Sequence, residues 1–187
     1  MFEIKSWTPD MDLTEFYEEA SRRGFENNAN QKMLVDSLAK EQKWCVLILY
    51  YNKKAVGSAG AHSLPEFGPD AYRICARTCI FTDMLPGAYG AALRTKNVIT
   101  HHQNPTSQFF IPALIEWAGI GKDLYISTNA SKMGSQQRVN NIFAPLLEKT
   151  GILKLANTIE YRGHLQHFWQ LNVEQFYNEL DYYGTWL

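Results

Sequence analysis

The apolar positions of the chain follow two rhythms, and residues 105–152 contain both. Residues 105–118 predict a helix that stops at Gly119-Ile120-Gly121. Residues 123–128 are short and β-rich, and predict a strand. Polar residues 129–134 follow. Residues 135–149 then place Val139, Ile142, Phe143, Leu146 and Leu147 on one stripe at the helical period. Gly151 closes that second helix, at the position that tolerates positive φ, with apolar Ile152 beyond it. The rest of the chain reads as a sheet built around this helix–strand–helix unit.

Residues 2–7 predict an edge strand. Asp12-x-x-Glu15 is a capping box, and Leu13, Phe16, Tyr17 and Ala20 form a helical stripe ended by Gly24. A second short helix follows, with Met33, Leu34 and Leu38 inward. Residues 44–51 are a continuous apolar run, which predicts a central strand covered on both faces. A turn at residues 52–54 joins it to residues 55–64, a strand poor in bulk whose small residues imply close approach by another element. Residues 72–83 predict a third long strand. Alternation puts Ile74, Ala76, Thr78, Ile80 and Thr82 on one face, and Tyr72, Arg73, Cys75, Arg77, Cys79, Phe81 and Asp83 crowd the other. Residues 84–104 carry no clear period, and a connection of that length is usually functional or mobile. Residues 153–161 and 165–171 are joined so tightly that they must pair antiparallel. Residues 173–180 predict a terminal helix with Phe176, Tyr177 and Leu180 inward.

Three meandering strands thus feed one crossover helix into a further strand. The prediction is a single α+β domain over residues 1–187, with a mixed, mostly antiparallel sheet flanked by helices on both faces. At 187 residues the chain is long enough for a real core. A net charge of −1 with scattered Lys and Arg argues against nucleic acid. No apolar run reaches the ~18 residues of a membrane span. The three cysteines fit no zinc spacing. Cys75 and Cys79 share a strand, ~13 Å apart at ~3.3 Å per residue, too far to bridge. All three read as reduced thiols of a cytoplasmic protein. His101 and His102 are adjacent, and His164 and His167 lie on opposite strand faces, so no metal site is expected.

The element order resembles the GNAT acetyltransferase superfamily over nearly the whole chain. The family often reads Asn-x-x-Ala-x-x-Leu-Tyr-x-Lys-x-Gly-Phe on the helix of residues 135–149. This chain keeps Asn140, Leu146, Lys149 and Gly151, with Phe143, Leu147 and Ile152 at the Ala, Tyr and Phe positions. The hairpin of residues 51–60, with Val56-Gly57, resembles the family's second and third strands. The resemblance implies an acyl-CoA co-substrate (acetyl-CoA or a longer acyl chain) and an amine acceptor, small molecule or peptide. A homodimer is allowed.

In the family, Gln/Arg-x-x-Gly-x-Gly/Ala holds the acyl-CoA pyrophosphate at a helix N-terminus, where backbone N–H groups and the helix dipole favour an anion. Here Gln103, Asn104, Thr106, Ser107 and Gln108 occupy that segment, and Thr106 and Gln108 replace the two small residues. The same residues also make an ordinary helix start, with Asn104 as cap and Pro105 at the first turn. Gly87-Ala88-Tyr89-Gly90 is a second candidate loop. By the same resemblance Asp83 stands where a general base lies, and Asn129, Ser131, Arg138 and Asn140 lie near the pantetheine arm or the 3′-phosphate. Leu147 stands where many members carry a Tyr that protonates the departing thiolate. Two functions are therefore open: an acyl-CoA-dependent N-acyltransferase, or a protein of the same shape that has lost its donor site and binds a partner.

Overall fold

The computed structural model describes residues 1–25, 35–36, 39–40, 42–86, 104–130 and 148–184. Seven strands form one sheet: β1 (Phe2–Ser6), β2 (Trp44–Tyr51), β3 (Lys54–Ser63), β4 (Ala71–Ile80), β5 (Asp123–Asn129), β6 (Leu153–Tyr161) and β7 (His164–Leu171). Their order is β1-β2-β3-β4-β5-β7-β6. Every neighbouring pair is antiparallel except β4 and β5. The mixed sheet is therefore the one expected, with a single parallel pair among the described strands. The centre of the sheet is β4, rather than the β2–β3 hairpin that the apolar run had suggested.

Helices cover both faces. Helix α1 (Thr14–Arg22) buries Phe16 and Ala20, with Leu13 just before it, against Val46, Ile48, Cys79 and Phe81. Its start is held by Asp12, whose Oδ1 accepts from the Thr14 N–H at 3.1 Å, and Gly24 follows its end at φ +75°. Helix α2 (Ile111–Ala118) lies on the opposite face, where Phe110, Ile111 and Leu114 pack with Leu47, Leu49, Ile74 and Leu124. Helix α3 (Val173–Gly184) adds Phe176 to that second cluster. Strand β2 is thus buried on both faces, as its unbroken apolar run requires. The small residues of β3 also have a cause. A Cβ on Gly57 would lie 3.0 Å from the Cys79 carbonyl oxygen, and Ala59 and Ala61 share the cluster of Phe110 and Leu114.

Strand β4 departs from strict alternation. Pairing with β3 runs Ser58↔Cys79, Gly60↔Ala76 and His62↔Arg73, with an irregularity in each interval. Two extra residues are accommodated on β4. Cys75 and Arg77 take left-handed backbone, each at φ +54°. The bulges turn Ile74 and Cys75 toward the α2 cluster together, so the two-face division expected for this strand fails there. The helix of residues 135–149 falls mostly outside the described residues. Its end is described, and Gly151 sits there at φ +79° as expected.

Candidate active site

The parallel strands β4 and β5 pair only from Ala71↔Asp123 to Ile74↔Ile126. Beyond that, β4 continues beside β3 and β5 continues beside β7. Residues 75–80 of one strand and 127–129 of the other have no ladder partner across the seam. The cause is local: the bulges at Cys75 and Arg77 begin where the pairing stops. Bulges bend and twist a strand, and here they carry β4 away from β5. In sheets with parallel strands, ligands bind beyond the carboxyl ends of the strands, where neighbouring connections diverge. The gap between β4 and β5 is such a place. Ser127 Oγ is buried there without a hydrogen-bond partner.

The helix start expected to hold phosphate lies at the same end of the sheet. Phe109 stacks on Phe2 with ring centroids 4.7 Å apart, and Phe2 pairs with Tyr51 at the end of β2 where β3 begins. Residues Thr106–Phe110 form a π-helical turn that runs into α2. Pro112 has no N–H to close the α ladder, and a widened turn before it accommodates the loss. Asn104 is the cap, as the sequence suggested: its Oδ1 accepts from the Thr106 N–H at 2.9 Å, and its carbonyl accepts from the Gln108 N–H at 2.9 Å. Asn104 and Ser107 are buried, whereas Thr106 and Gln108 are half-buried. The first turn therefore presents side chains, with one of its N–H groups already satisfied internally.

Asp83 lies in a 3₁₀ turn (Thr82–Met84) just past the end of β4. Arg23, beyond the end of α1, grips both of its carboxylate oxygens, one of them at 2.9 Å. Arg23 also pairs with Glu19 and lies over the Phe81 ring at 4.8 Å. The guanidinium beside Asp83 holds its carboxyl below the usual range. A carboxylate held this way is a weaker base than a free one. Asn129 is half-buried at the end of β5, beside the gap. Gln103, Ser131, Arg138, Asn140 and Leu147 lie outside the described residues, as do His101, His102 and the loop of residues 87–92.

On the α1 side of the sheet lies a polar surface of which the sequence marked only Tyr161 and Arg162, in a stretch dense in polar and aromatic groups that could line an acceptor pocket. His62, Arg73 and Tyr125 are cross-strand neighbours on β3, β4 and β5. The Arg73 guanidinium lies 5.7 Å from the centre of the Tyr161 ring, and that of Arg162 lies 5.1 Å from it. Arg73 Nε is buried with no partner. The available signal was an arginine inside a β-rich run. His62 is 1% exposed, and its Nδ1 lies 2.7 Å from the Ser63 carbonyl. Burial above all, with Arg73 and Arg77 nearby, pushes it down to about 4. The thiols of Cys45, Cys75 and Cys79 are free, and burial pushes each up to about 12, which makes them core groups and not nucleophiles. Among the described residues no group of three or more His, Cys, Asp or Glu could hold a metal, and no helix is long and apolar enough to cross a membrane.

Neither protein-family models nor curated proteins match this sequence. Solved structures do match the fold. An acetyltransferase of the GNAT family from Streptococcus pneumoniae superposes with a TM-score of 0.52 at 12% identity, over 91% of this chain and 97% of that one. The ribosomal-protein-S18-alanine N-acetyltransferase from Escherichia coli gives 0.52 at 15%, over 91% and 93%. FeeM, an N-acyl amino acid synthase from uncultured soil microbes, gives 0.51 at 9%, over 99% and 98%. These superpositions, each over more than nine-tenths of both chains, show that the chain has the fold of the GNAT acetyltransferases.

Proposed function

We propose that this protein transfers an acyl group from acyl-CoA to an amine. The observation that carries the reading is the gap between β4 and β5, held open by two bulges and lined by an unpartnered buried hydroxyl on Ser127. The donor would supply a thioester carbonyl already activated for attack. The acceptor nitrogen forms the new C–N bond, the C–S bond breaks, and the amine loses a proton. The residues present suit the acyl end of such a donor better than its phosphate end. Unpaired strand backbone and Ser127 offer polar groups to an extended amide-bearing arm. At the helix start, Thr106 and Gln108 add side chains where a bare backbone would approach phosphate most closely. Contact there would come from Asn104, Thr106, Ser107 and Gln108 through side chains and the helix dipole. Gln103, Asn129, Arg138 and Asn140 complete the proposed donor set. The proposed donor is acetyl-CoA or a longer acyl-CoA.

A thermal-shift titration with acetyl-CoA tests this reading. A donor at ~100 times its dissociation constant stabilises the fold by ~2.7 kcal/mol, which moves the melting temperature by several degrees. No shift at millimolar acetyl-CoA or longer acyl-CoA would overturn the enzyme reading in favour of a partner-binding protein. Asp83 is the proposed base, acting directly or through water. Asp83→Asn should lower turnover ~10²–10⁴-fold while leaving the donor-induced shift intact. Unchanged turnover would place the base elsewhere. The acceptors named for the structural neighbours, a ribosomal-protein alanine and an amino acid, differ too much to fix the acceptor here.

A further inference from the structure

The acceptor has one recognisable demand, written on the α1 side of the sheet. Arg73 stands on β4 one residue before the pairing with β5 ends, so it borders the gap. Its Nε is buried and unpartnered, and among the described residues its guanidinium makes no hydrogen bond or ion pair. A buried cation without an anion costs stability and calls for an explanation. Around it the charges are mostly of one sign. Arg77 follows four positions later on β4 and repels Arg73, while the neutral His62 pairs with Arg73 across β3. Tyr161 lies under both Arg73 and Arg162. Glu66, on the turn after β3, is the carboxylate felt by His62 and Tyr161, but it is exposed and forms no ion pair with Arg73. Further along β5 toward the gap, Ser127 Oγ is another buried polar atom without a partner. A guanidinium offers a planar fork of donors that matches a carboxylate in bidentate fashion.

We propose that Arg73, backed by Tyr161 and Arg162, binds the carboxylate of the acceptor, so that the acceptor is an amine that also carries a carboxylate. This rests on the acyltransferase reading for what happens to the amine, but the carboxylate site stands on its own geometry. Strand residues advance ~3.3 Å each, so a carboxylate on Arg73 sits within a few bonds' reach of the open seam beyond Ile74. An amino acid, or a peptide end bearing both groups, has that span.

Matched amines test the proposal, for example phenylalanine against phenethylamine, by calorimetric titration of the full-length protein with and without acetyl-CoA. The carboxylate-bearing partner should bind roughly 10–100-fold more tightly, the range of a charge-assisted hydrogen-bonded pair. Arg73→Met should abolish that difference and raise the melting temperature of the unliganded protein, because the unpaired cation is gone. Arg73→Lys keeps charge without the fork and should recover only part of the preference. Equal binding of the two amines, or discrimination retained in Arg73→Met, would overturn the proposal. Inorganic phosphate stabilising the wild type more than the amino acid, with that effect lost in Arg73→Met, would overturn the carboxylate in favour of a phosphate. If acetyl-CoA fails to bind while the carboxylate preference persists and depends on Arg73, the donor reading falls and this one stands. If acetyl-CoA binds and both amines are acylated equally, the reverse holds.

Discussion

Phe110→Ala should lower the unfolding free energy by about 3–5 kcal/mol, the cost of emptying a fully enclosed aromatic site. Phe110 is 0% exposed and ends the π turn that begins α2. It belongs to the same buried cluster as Ala59 and Ala61 on β3, two small residues that cannot swell to close a cavity. The same side chain anchors the helix start, where Asn104 caps the chain and Phe109 reaches Phe2. The variant should therefore also weaken donor binding beyond what its lower stability explains. Urea unfolding checks the first effect, and acetyl-CoA titration of the folded variant checks the second. A loss below about 1 kcal/mol would show that the helix is held on the sheet by other contacts.

Acid should weaken the fold through His62. Folded, this imidazole titrates at about 4, against 6.5 for an ordinary histidine. The folded value is depressed, so the neutral ring is the form the fold accepts. Above pH 6.5 neither state binds the proton and the stability is fully present. As pH falls from 6.5 to about 4, the unfolded chain takes up a proton that the folded chain refuses, and stability drops. The full difference corresponds to about 3 kcal/mol, reached near the lower end of that window. Urea unfolding at pH 7.5, 6 and 4.5 should show the decline, and His62→Gln should flatten most of it. An equal decline in His62→Gln would assign the acid sensitivity to carboxylates.

Much of the fold could be read from local pattern because its causes are local. The unbroken run of β2 demanded cover on both faces, and Val46 with Ile48 meets α1 while Leu47 with Leu49 meets α2. Asn104 and Gly151 announced a helix start and a helix end by their chemistry, and both occupy those positions. The site was less legible because its causes are not local. Cys75 and Arg77 adopt left-handed backbone without being glycine or asparagine, so no residue type marks the bulges. Asp83 was read as a strand-end carboxylate standing where a general base would lie. Its partner Arg23 lies 60 residues earlier, and only tertiary packing brings them together. Tyr161 and Arg73 are likewise joined by sheet order and not by spacing. The described residues bring Asn104, Thr106, Ser107 and Gln108 to one helix turn, with Asn129 apart at the end of β5.

The gap between β4 and β5 depends on how many residues β4 contains more than on which ones. From Ser58 to His62, β3 advances four steps while β4 advances six, from Arg73 to Cys79. A lineage that deleted two residues from this stretch would restore a flat ladder, let β4 zip further along β5, and remove two left-handed residues that cost roughly 1–2 kcal/mol apiece. The shortened protein would be the more stable one, with a continuous sheet and nowhere for a ligand to enter. An opening encoded as chain length tolerates nearly any substitution along its walls and almost no deletion. Selection acting on such a protein would therefore leave its mark on insertions and deletions in this strand well before it showed in the identity of the residues there.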